Sequence, residues 1–241
     1  MKTAAIIIIG NEILSGKVCD TNSFFLASEL RSLGVNVMRI TVIPDDIQII
    51  GAEALSCSSL FDLVFTSGGV GPTHDDVTMA GIAKGFDVPL VTARSLEERF
   101  RRRYGDGMNE AILKMAKVPE GTEIIELGNG RFPLASFRNI FILPGIPEYL
   151  TEKFHLIKNR FRSGAFYLKR LFLNAEEPDI AQTLNQVVAD NPEVSFGSYP
   201  ILGNDHYKII ITAESRSSAS AEKAVQELRE KLPAGIICSI E

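Results

Sequence analysis

The stretch FDLVFTSGGVGPTHDDVTMAGIAKGF, residues 61–86, decides the fold class of this chain. It begins with a short apolar run that is typical of a buried strand. A loop with three glycines, a proline and two adjacent aspartates follows, and the segment after this loop has the composition of a helix. A strand, a polar glycine-rich loop and a helix in this order are typical of an α/β sheet, in which such loops gather at the carboxyl ends of the strands.

The segments before this stretch repeat the same alternation. Residues 4–9, AAIIII, form a continuous apolar run rich in β-branched residues, as expected for a strand buried on both faces of a parallel sheet. Residues 20–34 predict a helix, residues 35–43 a second strand and residues 44–59 a second helix. Strands that alternate with helices imply right-handed crossovers, so we predict a doubly wound, mostly parallel sheet.

The chain after residue 86 continues with two charged helices, two strands and a further helix. These predicted elements are SLEERFRRRYG at 95–105, MNEAILKMAK at 108–117, TEIIEL at 122–127, ASFRNIFILPG at 135–145 and IPEYLTEKFHLIKNRF at 146–161.

The remainder of the chain has a different order of predicted strands and helices. From Phe166 onward the predicted order of elements is βαββαβ, which is the order of the ferredoxin-like fold. We therefore predict two domains, an α/β domain of residues 1–164 and a small ferredoxin-like α+β domain of residues 165–241.

Composition and charge limit the classes of function. The net charge of −5 does not support a nucleic-acid-binding surface. The apolar run near the start reaches Asn11 and Glu12 too soon for a signal peptide, and no other stretch is long enough to span a membrane. The three cysteines lie far apart and form no paired motif. We expect a cytoplasmic protein without nucleic-acid or membrane partners.

The glycine-rich loop has the chemistry of an anion site. Glycines let backbone N–H groups approach an anion, and hydroxyl groups add further donors. We expect Asp75 and Asp76 to enter the following helix, where the dipole stabilises carboxylates that suit a hard divalent cation. A plain glycine-rich turn with a capping aspartate also fits, and the loop alone does not separate the two interpretations. The candidate phosphate donors are Ser67, Gly68, Gly69, Gly71 and Thr73.

A second polar loop, GNEILSGKVCDTN at residues 10–22, follows the first predicted strand. It contributes a carboxylate, Glu12, and an Asp-Thr-Asn sequence at the start of a helix. Because the carboxyl ends of parallel strands meet at one edge of a sheet, both loops are expected to line one cleft. Phosphate donors beside metal-binding carboxylates are the groups that a phosphoanhydride site requires.

These motifs together resemble the molybdopterin-binding domain family, which includes the MogA, MoaB and gephyrin-type proteins and the CinA proteins. Within this family, the sequences of the motifs are most similar to those of CinA proteins and of the amino-terminal domain of eukaryotic FAD synthases. The small domain with GSYP at residues 197–200 is similar to the domain that follows in the same proteins. The matching segments are GNEILSG at 10–16, DTN at 20–22, TSGGVGPTHDDVT at 66–78 and LPGIPE at 143–148.

The resemblance implies an activity on a phosphoanhydride linked to AMP. Members of the CinA branch are associated with metal-dependent cleavage of ADP-ribose, and the related domain of FAD synthases with FAD hydrolysis. We therefore expect a nucleotide pyrophosphatase that uses Mg²⁺, Mn²⁺ or Co²⁺ and acts on ADP-ribose or FAD. A protein that binds or adenylylates molybdopterin and a non-catalytic nucleotide-binding module are the open alternatives. The resemblance also implies a small nucleotide or pterin ligand and a homo-oligomer, either a dimer or a trimer.

The resemblance further implies roles for individual residues. Asp76 is the expected metal ligand, and Asp75 is expected to bind the same metal or to orient a water molecule. Glu12 is expected to bind the metal through water or to act as a base. Asn22 and Gly145 are expected to lie beside the nucleotide.

The basic run RFRRRY, residues 99–104, could attract a polyanionic ligand. We interpret it instead as the solvent-exposed face of a helix, because such runs are most often solvated. His155 and His206 are not expected to bind a metal, since neither has a partner at the spacing of metal ligands.

Overall fold

The computed structural model describes residues 2–128, 131–233 and 235–241. The chain forms two compact units, Met1–Ser163 and Gly164–Glu241. The first unit is built on a mostly parallel sheet, and the second, smaller unit on an antiparallel sheet. None of the helices in the described ranges has the length and apolar character that a membrane crossing requires.

The first unit alternates strands and helices along most of its length. Its strands are β1 (Thr3–Ile9), β2 (Asn36–Ile43), β3 (Leu63–Ser67), β4 (Leu90–Thr92), β5 (Lys117–Pro119), β6 (Glu123–Ile125), β7 (Leu134–Phe137) and β8 (Ile140–Leu143). Its α-helices are α1 (Asn11–Leu14), α2 (Asn22–Ser32), α3 (Ile47–Leu60), α4 (Thr78–Gly85), α5 (Arg94–Tyr104), α6 (Glu110–Lys114) and α7 (Pro147–Ile157). Short 3₁₀ turns follow α5 at Gly105–Gly107 and α7 at Lys158–Phe161.

Six of these strands form one sheet in the order β2-β1-β3-β8-β7-β6. The pairs β2–β1, β1–β3 and β3–β8 are parallel, and the last two pairs are antiparallel. The chain passes from β1 to β2 on one side and then crosses to β3 on the other, so the strand order reverses between β1 and β3. Ligands of open α/β sheets bind at such a reversal, outside the carboxyl ends of the strands. The loops that begin at Gly10 and Gly68 both start there.

Strand β1 is buried on both faces, because successive side chains of a strand point to opposite sides of the sheet. Ile6 and Ile8 pack into a core with residues of α2 and α7. Ile7 and Ile9 pack into a second core with residues of α3 and α4. The continuous apolar run of this strand is the sequence signature of that two-sided burial, and the predicted doubly wound architecture is confirmed.

The single strand predicted over residues 135–145 is a hairpin instead. Strands β7 and β8 pair antiparallel around Arg138 and Asn139, and Arg138 has a φ of 53°. The amide of Asn139 donates to the carbonyl oxygens of Ser58 at 3.1 Å and Phe61 at 2.9 Å, which ties the turn to the end of α3. The turn contains neither glycine nor proline, and Asn139 is its one residue of a type that is common in turns.

The helix after the glycine-rich loop begins later than predicted. Helix α4 starts at Thr78, so Asp75 and Asp76 lie in the loop and not in the first turn of the helix. The physical reason is that Asp76 accepts a hydrogen bond from the backbone N–H of Thr73, which closes a turn within the loop. The short helix α1 and the two-stranded sheet of β4 and β5 are further elements that the sequence pattern did not predict.

The second unit has the predicted order βαββαβ. Its elements are β9 (Tyr167–Leu173), α8 (Glu177–Asp190), β10 (Ser195–Pro200), β11 (Ile209–Ser215), α9 (Ser218–Lys231) and β12 (Ile237–Ile240). The strands form an antiparallel sheet in the order β10-β11-β9-β12, as in the ferredoxin-like fold. Leu171 and Ile211 of the sheet pack with Ile180 of α8 and Leu228 of α9 in its core.

Candidate active site

The glycine-rich loop leaves β3 at the point where the strand order reverses. Gly68 has a φ of 109°, and a β-carbon there would collide with the carbonyl oxygen of Ile9 at the end of β1. Gly69 has a φ of 64°, and a β-carbon there would collide with the side chain of Thr78. The Thr78 hydroxyl donates to the carbonyl oxygen of Gly68 at 2.8 Å, which fixes the loop over the start of α4. Only glycine permits this close approach of the loop to β1.

The backbone donors of this loop are not equivalent. The N–H of Gly68 already donates to the carbonyl oxygen of Leu143 at 3.3 Å. The N–H groups of Gly69 and Gly71 have no acceptor within the described part of the chain. Together with the N–H of Val70, which also has no acceptor among the described residues and lines the cleft, these N–H groups are donors that the loop can offer to an anion, whereas the predicted donor of Gly68 is occupied.

Asp76 is held within the same loop by Thr73. Its Oδ2 accepts hydrogen bonds from the backbone N–H of Thr73 at 2.8 Å and from the Thr73 hydroxyl at 2.5 Å. A β-carbon on Gly71 would lie 2.7 Å from this Oδ2, so the glycine makes room for the carboxylate. Lys114 of α6 donates to the carbonyl oxygen of Thr73. The Oδ1 of Asp76 has no hydrogen-bond partner among the described residues, so it is available to a ligand.

Asp75 is placed differently from Asp76. It is not among the described residues that line the cleft, and its carboxylate lies 3.8 Å from Nδ1 of His74, with both side chains exposed. The polar side chain of Thr73 and the backbone N–H of Asp75 itself lower the pKa of Asp75, and the charges of His74 and Lys114 act in the same direction. Asp75 is therefore ionised at neutral pH, but only Asp76 of the two lies on the cleft wall.

Glu12 comes from the loop after β1. Its carboxylate lies against Gly10, where a β-carbon would be 2.5–2.7 Å from the carboxylate atoms. The backbone N–H of Asn11 donates to the Asp45 carboxylate at 2.8 Å, which fixes the start of α1. The Glu12 carboxylate has no hydrogen-bond partner in the described ranges and lines the same cleft as Asp76. Two carboxylates from separate loops thus line one cleft.

Asn22 and Ser67 form a buried link beneath the cleft. The Asn22 amide donates to the Ser67 hydroxyl at 3.0 Å and to the carbonyl oxygen of Gly145 at 2.7 Å. The Ser67 hydroxyl in turn donates to the carbonyl oxygen of Pro144 at 3.2 Å. A small cavity of about 60 Å³ beside this link shares Glu12 and Gly145 with the cleft. Because their donors are engaged inside the protein, Asn22 and Ser67 position the walls of the cleft and do not present these groups to a ligand.

Both loops open into one cleft of about 850 Å³ in the first unit. Its volume is within the range of roughly 300–1,000 Å³ that is typical of small-molecule sites. Thr73 does not line the cleft but contacts it through Asp76. The predicted site residues that line the cleft are Glu12, Gly68, Gly69, Gly71, Asp76 and Gly145.

Another wall of the cleft is aromatic, and the sequence did not predict it. Phe100 and Tyr104 of α5 line it together with Phe132, whose ring centroid lies 5.0 Å from that of Phe100. Arg103 lines the same wall. Arg101 and Arg102 are solvent-exposed, as interpreted from the sequence, but Phe100, Arg103 and Tyr104 line the cleft, so the run is not only a solvated face. The available signal was the aromatic pair four residues apart, which falls on one face of a helix.

Lys153 of α7 is a partly buried cation on this wall. Its ammonium donates to the carbonyl oxygens of Phe132 and Pro133, the latter at 2.9 Å. Burial lowers the pKa of Lys153 from 10.5 to about 8, the Glu152 carboxylate opposes this shift, and the Arg99 charge adds to it. The ammonium stays mostly protonated at pH 7, and it holds the segment that carries Phe132.

Glu12 and Asp76 are the side chains suited to a divalent cation. The described residues contain no group of three or more His, Cys, Asp or Glu side chains that could hold a metal ion. Two carboxylates with unpaired oxygens still fit an ion such as Mg²⁺. Such ions commonly take one or two protein carboxylates and complete their coordination with water and substrate phosphates.

Family models match both units of the chain. Residues 5–163 match the family described as the probable molybdopterin binding domain. Residues 165–241 match the middle domain of FAD synthase.

Individual relatives extend over most of the chain. A protein of Archaeoglobus fulgidus is 37% identical over 227 residues, which cover 94% of this chain and 96% of that protein. A probable FAD synthase of Caenorhabditis elegans is 35% identical over 98% of this chain, which spans about half (51%) of that relative. The crystal structure of CinA from Thermoplasma acidophilum is 32% identical and superposes with a TM-score of 0.61 over 67% of this chain and all of that one.

The first family model covers more than half of the chain, and its bounds enclose every cleft residue described above. The second model covers residues 165–241, which lie within the second unit. The chain therefore belongs to the probable molybdopterin binding domain family, in the branch that includes CinA-like proteins and FAD synthases.

Proposed function

We propose that the protein is a metal-dependent nucleotide pyrophosphatase that cleaves the diphosphate of an ADP-containing dinucleotide, either ADP-ribose or FAD. Water adds to one phosphorus, the bridging P–O bond breaks, and each product leaves with one phosphate. ADP-ribose then gives AMP and ribose 5-phosphate, and FAD gives AMP and FMN. Relatives named probable FAD synthases support a nucleotide as the substrate.

One observation carries this proposal. Glu12 and Asp76, from the loops after β1 and β3, line the same cleft as the uncovered backbone of Gly69 and Gly71. A diphosphate needs donors for its oxygens, a carboxylate that can hold a cation, and a base near the attacking water. In this cleft the N–H groups of Gly69 and Gly71 can serve as the donors, Asp76 as the carboxylate for the cation and Glu12 as the base.

The proposed roles follow from the contacts of each group. The N–H groups of Gly69 and Gly71 donate to phosphate oxygens, and such pre-oriented donors stabilise the charge of the transition state. Asp76 offers Oδ1 to the cation, while Thr73 fixes the orientation of its carboxylate through Oδ2. Glu12, whose carboxylate is unpaired, accepts the proton of the attacking water. A bound divalent cation supplies Lewis-acid stabilisation of the phosphate charge.

The proposal is tested by measuring AMP release. Purified protein is incubated with ADP-ribose or FAD in the presence of Mg²⁺, Mn²⁺, Co²⁺ or EDTA, and AMP is quantified by liquid chromatography. We expect AMP with at least one metal and none with EDTA. The absence of AMP with every metal would remove the proposal.

Single substitutions test the residue roles. Asp76→Asn is expected to lower kcat by about 100-fold or more, in line with the loss of one transition-state interaction. Asp75→Asn is expected to cause a smaller loss, because Asp75 lies off the cleft wall. Asp106→Asn, at an exposed position outside the cleft, is the control. Equal losses in the Asp76 and Asp75 variants would contradict the separate placement of the two aspartates.

A second candidate function is the binding or adenylylation of molybdopterin. The match of residues 5–163 to the probable molybdopterin binding domain favours it. A pterin titration followed by absorbance, compared with ADP-ribose and FAD under the same conditions, distinguishes the two functions. Tight pterin binding without AMP release from either dinucleotide would favour this second candidate.

Self-association into a dimer or trimer, which the family resemblance implies, is a separate proposal. Multi-angle light scattering of the purified chain measures it directly. A monomer at all concentrations would contradict it.

A further inference from the structure

The proposed hydrolysis uses the glycine-rich part of the cleft and leaves its aromatic wall without a role. We infer that this wall, built by Phe100, Tyr104 and Phe132, is a subsite for a planar aromatic ring joined to the diphosphate. The inference rests on the proposed function and deepens it. It names a heterocyclic ring, of the adenine or the flavin type, as the element by which the cleft selects its substrate.

The three aromatic side chains form one group. Phe100 is buried, and its ring centroid lies 5.0 Å from that of Phe132 and 6.3 Å from that of Tyr104. Phe132 and Tyr104 remain 36% and 40% exposed. Large aromatic side chains that stay partly exposed in the wall of a cleft are typical of a binding surface and not of a core. The buried ring supports two rings that a ligand can reach.

The charges on this wall favour a ring that carries phosphate. The guanidinium of Arg103 lies 5.7 Å from the Tyr104 ring and has no carboxylate partner within the described ranges. The ammonium of Lys153 lies 5.3 Å from the Phe132 ring. Arg131 also lines the cleft, but its charge is partly offset by Glu152 at 2.6 Å. An apolar wall with an unpaired cation suits a planar ring attached to an anion better than a neutral apolar ligand.

The shape of the Phe132 segment is fixed before a ligand arrives. Two backbone carbonyl oxygens, at Phe132 and Pro133, accept hydrogen bonds from Lys153. The wall therefore does not depend on the ligand for its position, and stacking loses little entropy in ordering it. This favours detectable binding of the ring without the diphosphate.

The test measures binding of ring compounds that lack phosphate. Riboflavin is titrated with the full chain and followed by flavin fluorescence, which no tryptophan of the protein complicates because the chain has none. Adenosine is titrated by calorimetry, and ribose 5-phosphate serves as the ring-free probe. We expect one ring compound to bind without metal. Riboflavin binding assigns the subsite to flavin, and adenosine binding assigns it to adenine.

Phe132→Leu removes the ring but keeps an apolar side chain, and it is expected to weaken binding by about 5- to 100-fold, the range for loss of one stacked ring. Tyr104→Leu provides an independent second test at an exposed side chain. The matched control is Phe24→Leu, since Phe24 is exposed and lies outside the cleft.

The outcomes separate this inference from the proposed function. Asp76→Asn is expected to lower the rate of AMP release by about 100-fold or more while ring binding stays at the wild-type level. If the wild type binds a ring through Phe132 but never releases AMP, the subsite stands and the hydrolase proposal falls. If neither ring compound binds, or if Phe132→Leu and Tyr104→Leu bind as tightly as Phe24→Leu, the inference is overturned.

Discussion

Replacing Asn22 by alanine is expected to destabilise the first unit and to loosen the cleft. The side chain is 8% exposed, and it donates to the Ser67 hydroxyl at 3.0 Å and to the Gly145 carbonyl oxygen at 2.7 Å. Each such hydrogen bond contributes about 1 kcal/mol net, and an acceptor left unpaired in a buried site adds to the loss. We therefore expect the free energy of unfolding to fall by about 2–3 kcal/mol. For a chain of this size the corresponding drop in Tm is about 4–12 °C.

Differential scanning calorimetry of the full chain measures this change. The matched control is Asn159→Ala, because Asn159 is exposed in the same unit and has no side-chain hydrogen bond in the described ranges. Its effect should stay within about 0.5 kcal/mol. The Asn22 variant should also show a raised KM for AMP release, because the wall at Gly145 loses its anchor. An unfolding temperature for Asn22→Ala equal to that of the control would show that the buried hydrogen bonds of Asn22 do not stabilise the first unit.

Three other expectations concern stability and reactivity. The Lys153 side chain has a pKa of about 8 in the folded chain and 10.5 in the unfolded chain, so between these pH values the unfolded chain binds more protons. Lys153 therefore makes the free energy of unfolding rise with pH in this window. In denaturant titrations at pH 8 and 10, Lys153→Met should lack about 2 kcal/mol of that rise. Gly51→Ala should lower the free energy of unfolding by about 1–3 kcal/mol, because its β-carbon would lie within 3 Å of the α4 backbone. Gly107→Ala is the control and should leave this free energy unchanged, because its β-carbon would have no atom within 4 Å. Burial raises the pKa of Cys57 to about 11, so a thiol reagent at pH 8 should label the two exposed cysteines at once and Cys57 only after unfolding.

Each of these expectations can fail independently. A Lys153→Met variant with the same pH dependence as the wild type would show that the ammonium is not desolvated. Equal free energies of unfolding for the Gly51→Ala and Gly107→Ala variants would mean that α3 and α4 can move apart to accept a β-carbon without loss of stability. Labelling of all three cysteines in the folded protein would contradict the burial of Cys57.

Much of the fold follows from local sequence patterns. The apolar run of β1 predicts a central strand because only two-sided burial accommodates it, and the element order of the second unit predicts its sheet. The hairpin at Arg138 and Asn139 was missed for a physical reason. Its turn is stabilised by hydrogen bonds from Asn139 to the end of α3, far away in the sequence, and not by a local glycine or proline.

The candidate site is predictable only in part. The glycine-rich loop and the loop at residues 10–22 predicted the cleft. Glycines and carboxylates share few structural roles, so their combination at the ends of strands indicated a binding site. The polar character of Asn22 and Ser67 could not show whether these groups face a ligand or bind the backbone, and the structure gives them the second role. Phe132 and Lys153 could not be predicted as cleft residues because their placement depends on contacts far apart in the sequence, between Phe132 and Phe100 of α5 and between Lys153 and the backbone at Phe132 and Pro133.

In the proposed mechanism Asp76 holds a cation at a diphosphate that is bound by the glycine-rich loop, and Glu12 acts from the same cleft. Anomalous diffraction from crystals grown with Mn²⁺ and a non-hydrolysable analogue, α,β-methylene-ADP, locates the cation and the diphosphate together. We expect an anomalous peak roughly 2.0–2.3 Å from Oδ1 of Asp76, with Glu12 facing a water at the metal and the diphosphate against the N–H groups of Gly69 and Gly71. A diphosphate bound elsewhere, or a peak away from both carboxylates, would contradict the account.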